Sequence, residues 1–457
     1  MNNMIKEYVK ITKYSTGSLK ELFYITFPVM LTLLSNYLMI FIDRLILANY
    51  SLEAMNAVTS ASLFCMIFQS GIVGIVSIAE VFVGQYNGSE KYFLVKSPVW
   101  QMIWFSLMLF PVFFLLANFL GPIVLSDYHY RDFAFPYFQW LFYFMITFGV
   151  QTALSAFFVG IGKVRVVTVV TIVANLINVL LDFILIFGIK NVFSSMGTKG
   201  AAIATGISQI FQILILLIFF LSKKNRRKFC TQQITFELKL ILKCLKIGFP
   251  SALGHMIEIT ALALIIRITA SLGEDFLTVI AISQNIYAAI VFSICGLQKA
   301  VIIISSNLIG SGNYKEIQNT CFSATKLLFI FAAVVSLILL IYPDFLIKAF
   351  LRNDSCLYNI ENIRVICVFL WIYFILDGLT WIFGSVLIAA GDTSFTMLVN
   401  VVGIWFLAFL PIYLYSKFNP SNPAFVWFFI NFYALLNMVC FYLRYRFISA
   451  EKLNKIT

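Results

Sequence analysis

Apolar residues fall in twelve long runs parted by short polar stretches. They are Leu22–Leu47, Ala54–Gly84, Val99–Phe119, Phe133–Val159, Val166–Phe187, Gly200–Leu221, Ile247–Leu272, Leu277–Leu308, Leu327–Tyr342, Val365–Ala389, Phe395–Tyr415 and Ala424–Tyr442. A helix needs about 20 apolar residues to cross a bilayer. In lipid the backbone must satisfy its own hydrogen bonds, so runs of this kind are helices and not open strands. The pattern predicts an all-α polytopic membrane protein with twelve transmembrane helices. The second and eighth runs exceed one crossing, so they tilt or protrude.

The pattern also repeats. Phe27-Pro28 opens the first span and Phe249-Pro250 the seventh, 222 positions on. Gly88 follows span two as Gly312 follows span eight, and Gly162 follows span four as Gly391 follows span ten. Six spans per repeat keep both halves in the same orientation. Parallel repeats about an axis along the membrane normal are a transporter architecture. The expected organisation is a cytoplasmic segment 1–21, an N-lobe 22–221 (spans 1–6), a linker 222–246, a C-lobe 247–445 (spans 7–12) and a cytoplasmic tail 446–457.

Composition agrees: 61% of the 457 residues are hydrophobic and 11% charged, against about 45–50% and 25% in soluble domains. This excludes a water-soluble enzyme and, more firmly, a disordered chain. The net charge of +12 reflects orientation, since basic residues collect in cytoplasmic loops. With both termini inside, 22 Lys and Arg fall on inner segments, eight on outer segments and two within spans. The basic run at 223–228 then reads as part of the linker, and no nucleic-acid partner is expected. The polar, basic N-terminus lacks a cleavable signal pattern. The eight scattered cysteines include no CxxC pair and read as small buried hydrophobes. Two histidines, His129 and His255, do not make a metal site. Most of the 49 Phe face lipid; a few could line a cavity for flat cations.

Chemistry is therefore sought in charges inside the membrane, which are costly and point to function. Asp182 shares a helical face with Asn175 and Asn178, at spacings of three and four. Glu258 lies one turn after His255, and Asp377 one turn after Tyr373. Asp43 can be read as pairing with Arg44, and Glu80 as reaching water from the end of a long helix. Arg267 and Lys299 are intramembrane cations that could pair with the acids. Asn36, Asn175, Gln284, Arg267 and Lys299 are secondary candidates. A cage of acid, amide and hydroxyl oxygens suits a hard cation such as sodium, and removal from water favours a carboxyl's neutral, proton-carrying form.

Several stretches together resemble the multidrug and toxic compound extrusion (MATE) family, within the flippase-like exporter superfamily. They are Phe41-Ile42-Asp43-Arg44, Gly160-Ile161-Gly162-Lys163, Asn178 to Asp182, Ile186-Phe187-Gly188, Met196-Gly197, Gly200 to Thr205, Gly248-Phe249-Pro250 with Glu258, and Asp377 leading to Ala390-Gly391-Asp392-Thr393. The likeness runs from Phe27 to span twelve. It implies V-shaped lobes, alternating access and export of organic cations against inward sodium or protons. By position, Asp43, Asn178, Asp182 and Thr205 would form an N-lobe ion and proton site. Glu258, Tyr373 and Asp377 would form a C-lobe cation site. Arg267 and Lys299 depart from that expectation, since neutralisation of the C-lobe acids would defeat cation binding.

The expected protein is thus a monomeric, multi-pass antiporter of the plasma membrane, neither enzyme nor cofactor protein. Its partners are the lipid bilayer and a cationic amphiphilic small molecule; its coupling ion is sodium or a proton. The alternative is a lipid-linked saccharide flippase or metabolite exporter on the same scaffold. A flippase for anionic headgroups should have a cavity rich in Arg and Lys, whereas mid-span acids here outnumber bases.

Overall fold

A computed structural model describes residues 11–125, 130–189, 192–344, 357–418 and 422–447. His129, Cys356, the first ten residues and the tail from 448 lie outside them. Among the described residues the chain is helical, with one isolated β-bridge between Ile189 and Phe193. Eleven helices are long and apolar enough to cross a membrane. A twelfth span is the pair Arg131–Tyr143 and Met145–Gly160, bent by 41°.

The long second run is two helices, Leu52–Ser77 and Ala79–Gly88. They part at Ile78, whose N–H turns to the Ile75 carbonyl in a tighter bond. The eighth is likewise Glu274–Ile290 and Phe292–Ser311, parted at Val291. Each long run is therefore divided by a break in its helix.

The described residues pack into two units, Leu31–Ala252 and residues 11–30 with 253–447. Each boundary lies two residues past a helix proline, Pro28 in Leu19–Tyr50 and Pro250 in Leu238–Ser271. Proline deletes one helical hydrogen bond, so the chain leaves one unit for the other where the helix is weakest.

The two units are built alike. In the first, span 4 packs on spans 2, 3 and 6; in the second, span 10 packs on spans 8, 9 and 12. A π-helical turn interrupts span 3 at Leu116–Leu120 and span 9 at Leu337–Ile341, 221 positions apart. The hairpins differ from the repeat expected from glycine positions. Gly162, Gly312 and Gly391 take left-handed conformations with φ of 77°, 78° and 82°. The residue equivalent to Gly312 is not Gly88 but Glu90, with φ 61°. The 6→1 bonds agree: Lys91 N–H to Tyr86 O in one half and Asn313 N–H to Leu308 O in the other. A non-glycine residue in that conformation costs about 1–2 kcal/mol, so glycine marks this turn in one half of the chain and not in the other.

The 231–237 part of the linker is tied to the Leu31–Ala252 unit. Trp100 donates to the Thr231 carbonyl at 3.1 Å, Gln101 donates to the Thr235 carbonyl at 3.0 Å and accepts from Glu237 N–H at 2.9 Å, and buried Lys96 bonds Gln233.

Close helix approach explains the small-residue stretch at Gly200. A Cβ there would lie 2.7 Å from the Leu185 carbonyl carbon and oxygen. Backbone at the end of a helix cannot yield as a side-chain tip can. Gly200→Ala is expected to destabilise the protein by about 1–3 kcal/mol. A lower melting temperature and lower yield of monodisperse protein in detergent would show it; an unchanged melt would refute the packing argument.

Candidate functional site

Each unit holds a cluster of buried polar groups around carboxyls. In the Leu31–Ala252 unit, Asp43 comes from span 1, Asn178 and Asp182 from span 5 (Val164–Phe187), and Thr205 from span 6 (Gly197–Phe220). Asn178 and Asp182 are 0% and 1% exposed. The Asn178 amide donates to Asp43 Oδ1 at 3.2 Å and accepts from the Thr205 backbone N–H at 3.2 Å. Thr205 thus enters through its backbone; its hydroxyl donates to the Ala201 carbonyl of its own helix at 3.1 Å.

The carboxyls of Asp43 and Asp182 are neighbours in this cluster. No neighbouring N–H or O–H among the described residues reaches either oxygen of Asp182. A hydrogen bond between two carboxyls requires one of them to carry a proton. Deprotonating both would leave two like charges facing each other with little solvent.

Asp43 borders a cavity of about 130 Å³, shared with Arg44, Tyr137, Thr205 and Gln209. Arg44 does not turn to Asp43 as its sequence position suggests. Its Nη2 donates to Ser62 Oγ at 2.7 Å, while its Nη1 and Gln209 Oε1 are buried with no partner among the described residues. The cavity accommodates a few waters or a hydrated ion; small-molecule pockets are about 300–1,000 Å³.

The other residues of the polar stripe do different work. Asn175 donates to Ser35 Oγ at 2.8 Å and to Asn36 Oδ1 at 3.0 Å, pinning span 5 to span 1. That tie lies two turns along the helix from Asp182, about 10 Å at 1.5 Å per residue. Asn36 and Asn175 hold the helices that present the site.

In the second unit, Asp377 on span 10 accepts a 2.5 Å hydrogen bond from the Tyr287 hydroxyl of span 8. Tyr373 packs with Tyr287 at 4.9 Å between ring centroids and with Trp427 at 5.6 Å. Trp427 is fixed by donating to Ser283 Oγ at 2.7 Å. Glu258 and Asp377 line one cavity with Thr380, Asn400, Tyr433 and Asn437. Its volume, about 10 Å³, is near the space of a single water-sized occupant. Glu258 also faces His255 across 3.5 Å.

Tyr287, Trp427, Tyr433 and Asn437 were not singled out from the sequence. Gln284, which was, lies three residues before Tyr287 and does not line this cavity. An amide stands out in an apolar run while a tyrosine does not. Arg267 is exposed and Lys299 half-buried, and neither lines the two carboxylate cavities. Glu80, expected to reach water, is instead buried at 6% exposure and interacts with neighbouring groups. It sits in the first turn of Ala79–Gly88, where the positive end of the helix favours an acid.

Twelve spans in two like units, with acids buried in each, define a membrane transporter. The MatE family profile matches residues 28–184 and 250–414, and the chain belongs to that family. Its members are transporters, so the chain is a multi-pass membrane transporter and not an enzyme. "Probable multidrug resistance protein NorM" of Thermotoga maritima is 24% identical over 393 residues, 84% of this chain and 83% of the relative. "Probable multidrug resistance protein YoeA" of Bacillus subtilis is 21% identical over 407 residues, 88% and 87% of the two chains. Among solved structures, an outward-facing multidrug resistance MATE transporter of the MOP superfamily aligns with TM-score 0.84 at 16% identity, over 98% of this chain and 100% of that one. A MOP superfamily transporter from Pyrococcus furiosus, described as having a binding pocket of reverse polarity, aligns with TM-score 0.83 at 16% identity, over 97% and 99%.

Proposed function

We propose that the protein exports cationic, amphiphilic small molecules across the plasma membrane in exchange for sodium or protons, by alternating access. The observation that carries this reading is the pair of ion-sized cavities edged by carboxyls, one in each unit. Both are too small for a drug-sized ligand, so they suit the coupling ion. The relatives' names, multidrug resistance proteins, support a drug-like substrate, and the buried acids favour a cationic one.

In the proposed cycle the outward-facing transporter takes up an ion at the acids. Neutralising them removes the attraction for a cationic substrate, which leaves. The ion-loaded carrier then returns inward, where ion release restores the negative charge for the next substrate. The bias of basic residues supports placing both termini in the cytoplasm. The protein is taken to act as a monomer, without a cofactor beyond the coupling ion.

The test is transport of a fluorescent organic cation in everted vesicles, with sodium and proton gradients imposed separately. Gradient-driven transport under at least one of them is expected. No transport of any cation under either gradient by folded protein would overturn the proposal and favour a lipid-linked saccharide flippase.

A further inference from the structure

A groove of about 460 Å³ lies on the second unit, apart from both carboxylate sites, where spans 9, 10 and 12 meet near their ends. Its floor is apolar, with Ile317 and Cys321 from span 9 and Phe383, Val386 and Leu387 from span 10. Its wall is aromatic: the Phe383 ring lies 5.2 Å from Tyr442 and 5.5 Å from Tyr445.

The rim is cationic. Arg446 lines the groove and is exposed. Lys326 places its ammonium 4.3 Å from the centroid of Phe322, a lining residue that is 64% exposed. Lys315 opens span 9, next to lining Tyr314. Of the nearby acids, Asp392 is paired with Arg444 at 2.8 Å, which leaves Glu316 alone against Lys315, Lys326 and Arg446. The balance of charge at the groove mouth is therefore positive.

Position completes the argument. Lys326 is the last polar residue before the apolar run of span 9, and Arg446 the last cation of span 12's helix. Both belong at the depth of lipid headgroups, where aromatic and basic side chains gather. Basic pockets between transmembrane helices bind phosphate headgroups. Rim cations exposed to water hold free phosphate weakly, since their charges are screened. The apolar floor adds binding only for a ligand that brings a hydrocarbon chain.

We propose that this groove binds an anionic phospholipid, with its phosphate at Arg446 and Lys326 and the start of an acyl chain over Phe383, Val386 and Leu387. The site is independent of the transported substrate, so it stands or falls apart from the transport reading.

The test uses the full chain purified in neutral detergent, with lipid retention read by native mass spectrometry. Phosphatidylglycerol and phosphatidylcholine are offered at equal concentration. Wild type is expected to retain phosphatidylglycerol about tenfold better, as contact of two cations with a headgroup would give. The Lys326→Gln/Arg446→Gln double variant is expected to lose that preference. Thr325→Trp, which fills the groove, should release both lipids. Lys223→Gln/Lys224→Gln, on the other unit, should change nothing. Wild type alone provides two further readings: raised salt should cut the preference, and glycerol phosphate should not displace the lipid. Equal retention of the two lipids, a preference that survives in the double variant, or displacement by glycerol phosphate would each overturn the site.

Discussion

Asp182→Asn is expected to abolish gradient-driven efflux while leaving the protein folded. Asp182 meets Asp43 carboxyl to carboxyl, and no other donor among the described residues reaches its oxygens. An asparagine amide has nearly the same shape and offers an N–H where the shared proton would sit. The variant therefore mimics the proton-loaded pair permanently. A donor–acceptor contact that depends on a bound proton becomes one that needs none, so the melting temperature should be equal or higher. Ion binding, by contrast, loses one charged contact of about 1.5–3 kcal/mol, or roughly 10–100-fold in affinity. Efflux under imposed gradients, measured beside a melting curve in detergent, separates coupling from stability. Full efflux by the folded variant would remove the Asp43–Asp182 pair from the mechanism. Loss of efflux together with a collapsed melt would make the pair structural.

The second large effect is expected at Asp377. Asp377→Asn removes a negative charge from the small cavity shared with Glu258, and sodium-dependent efflux should fall by roughly 10–100-fold on the same reasoning. Tyr287→Phe is the informative companion. The Tyr287 hydroxyl occupies Asp377 Oδ2 at 2.5 Å and so competes with any cation for that oxygen. Removing it leaves the charge and frees the acceptor, and half-maximal stimulation should shift to lower sodium concentration. Titration of efflux against sodium for both variants checks this. Unchanged sodium dependence in Asp377→Asn would exclude the C-lobe cavity as the ion site.

How much of the site could be read from the chain depends on the kind of signal each residue gives. Asp182 was visible because a carboxylate and two amides at spacings of three and four cannot all face lipid. The same stripe concealed a division of labour. Asn178 belongs to the ion site, while Asn175 ties span 5 to Ser35 and Asn36 of span 1. Helical spacing puts residues on one face but does not say which neighbour each one meets. Arg44 makes the same point: successive helix residues diverge by about 100°, and although it shares a cavity with Asp43 its guanidinium hydrogen-bonds Ser62. Tyr287 and Trp427 gave no signal at all, since aromatic residues are ordinary in apolar runs.

By itself the sequence determined the solvent and the count. Twelve apolar runs require a lipid environment and helices, because neither water nor strands could satisfy them, and the repeat follows from the order of the helix prolines and hairpins. Tertiary structure alone decided the membership of the two units and of the two sites. The first turns of spans 1 and 7 pack with the opposite half of the chain. The acids gain partners that lie up to 162 positions away, as Asp43 does with Thr205 through Asn178. Apolar periodicity records that a residue is removed from water. It carries no information on which helix does the burying, and in a bundle of similar helices that choice is made by close packing at glycines such as Gly200 and by a few polar ties between spans.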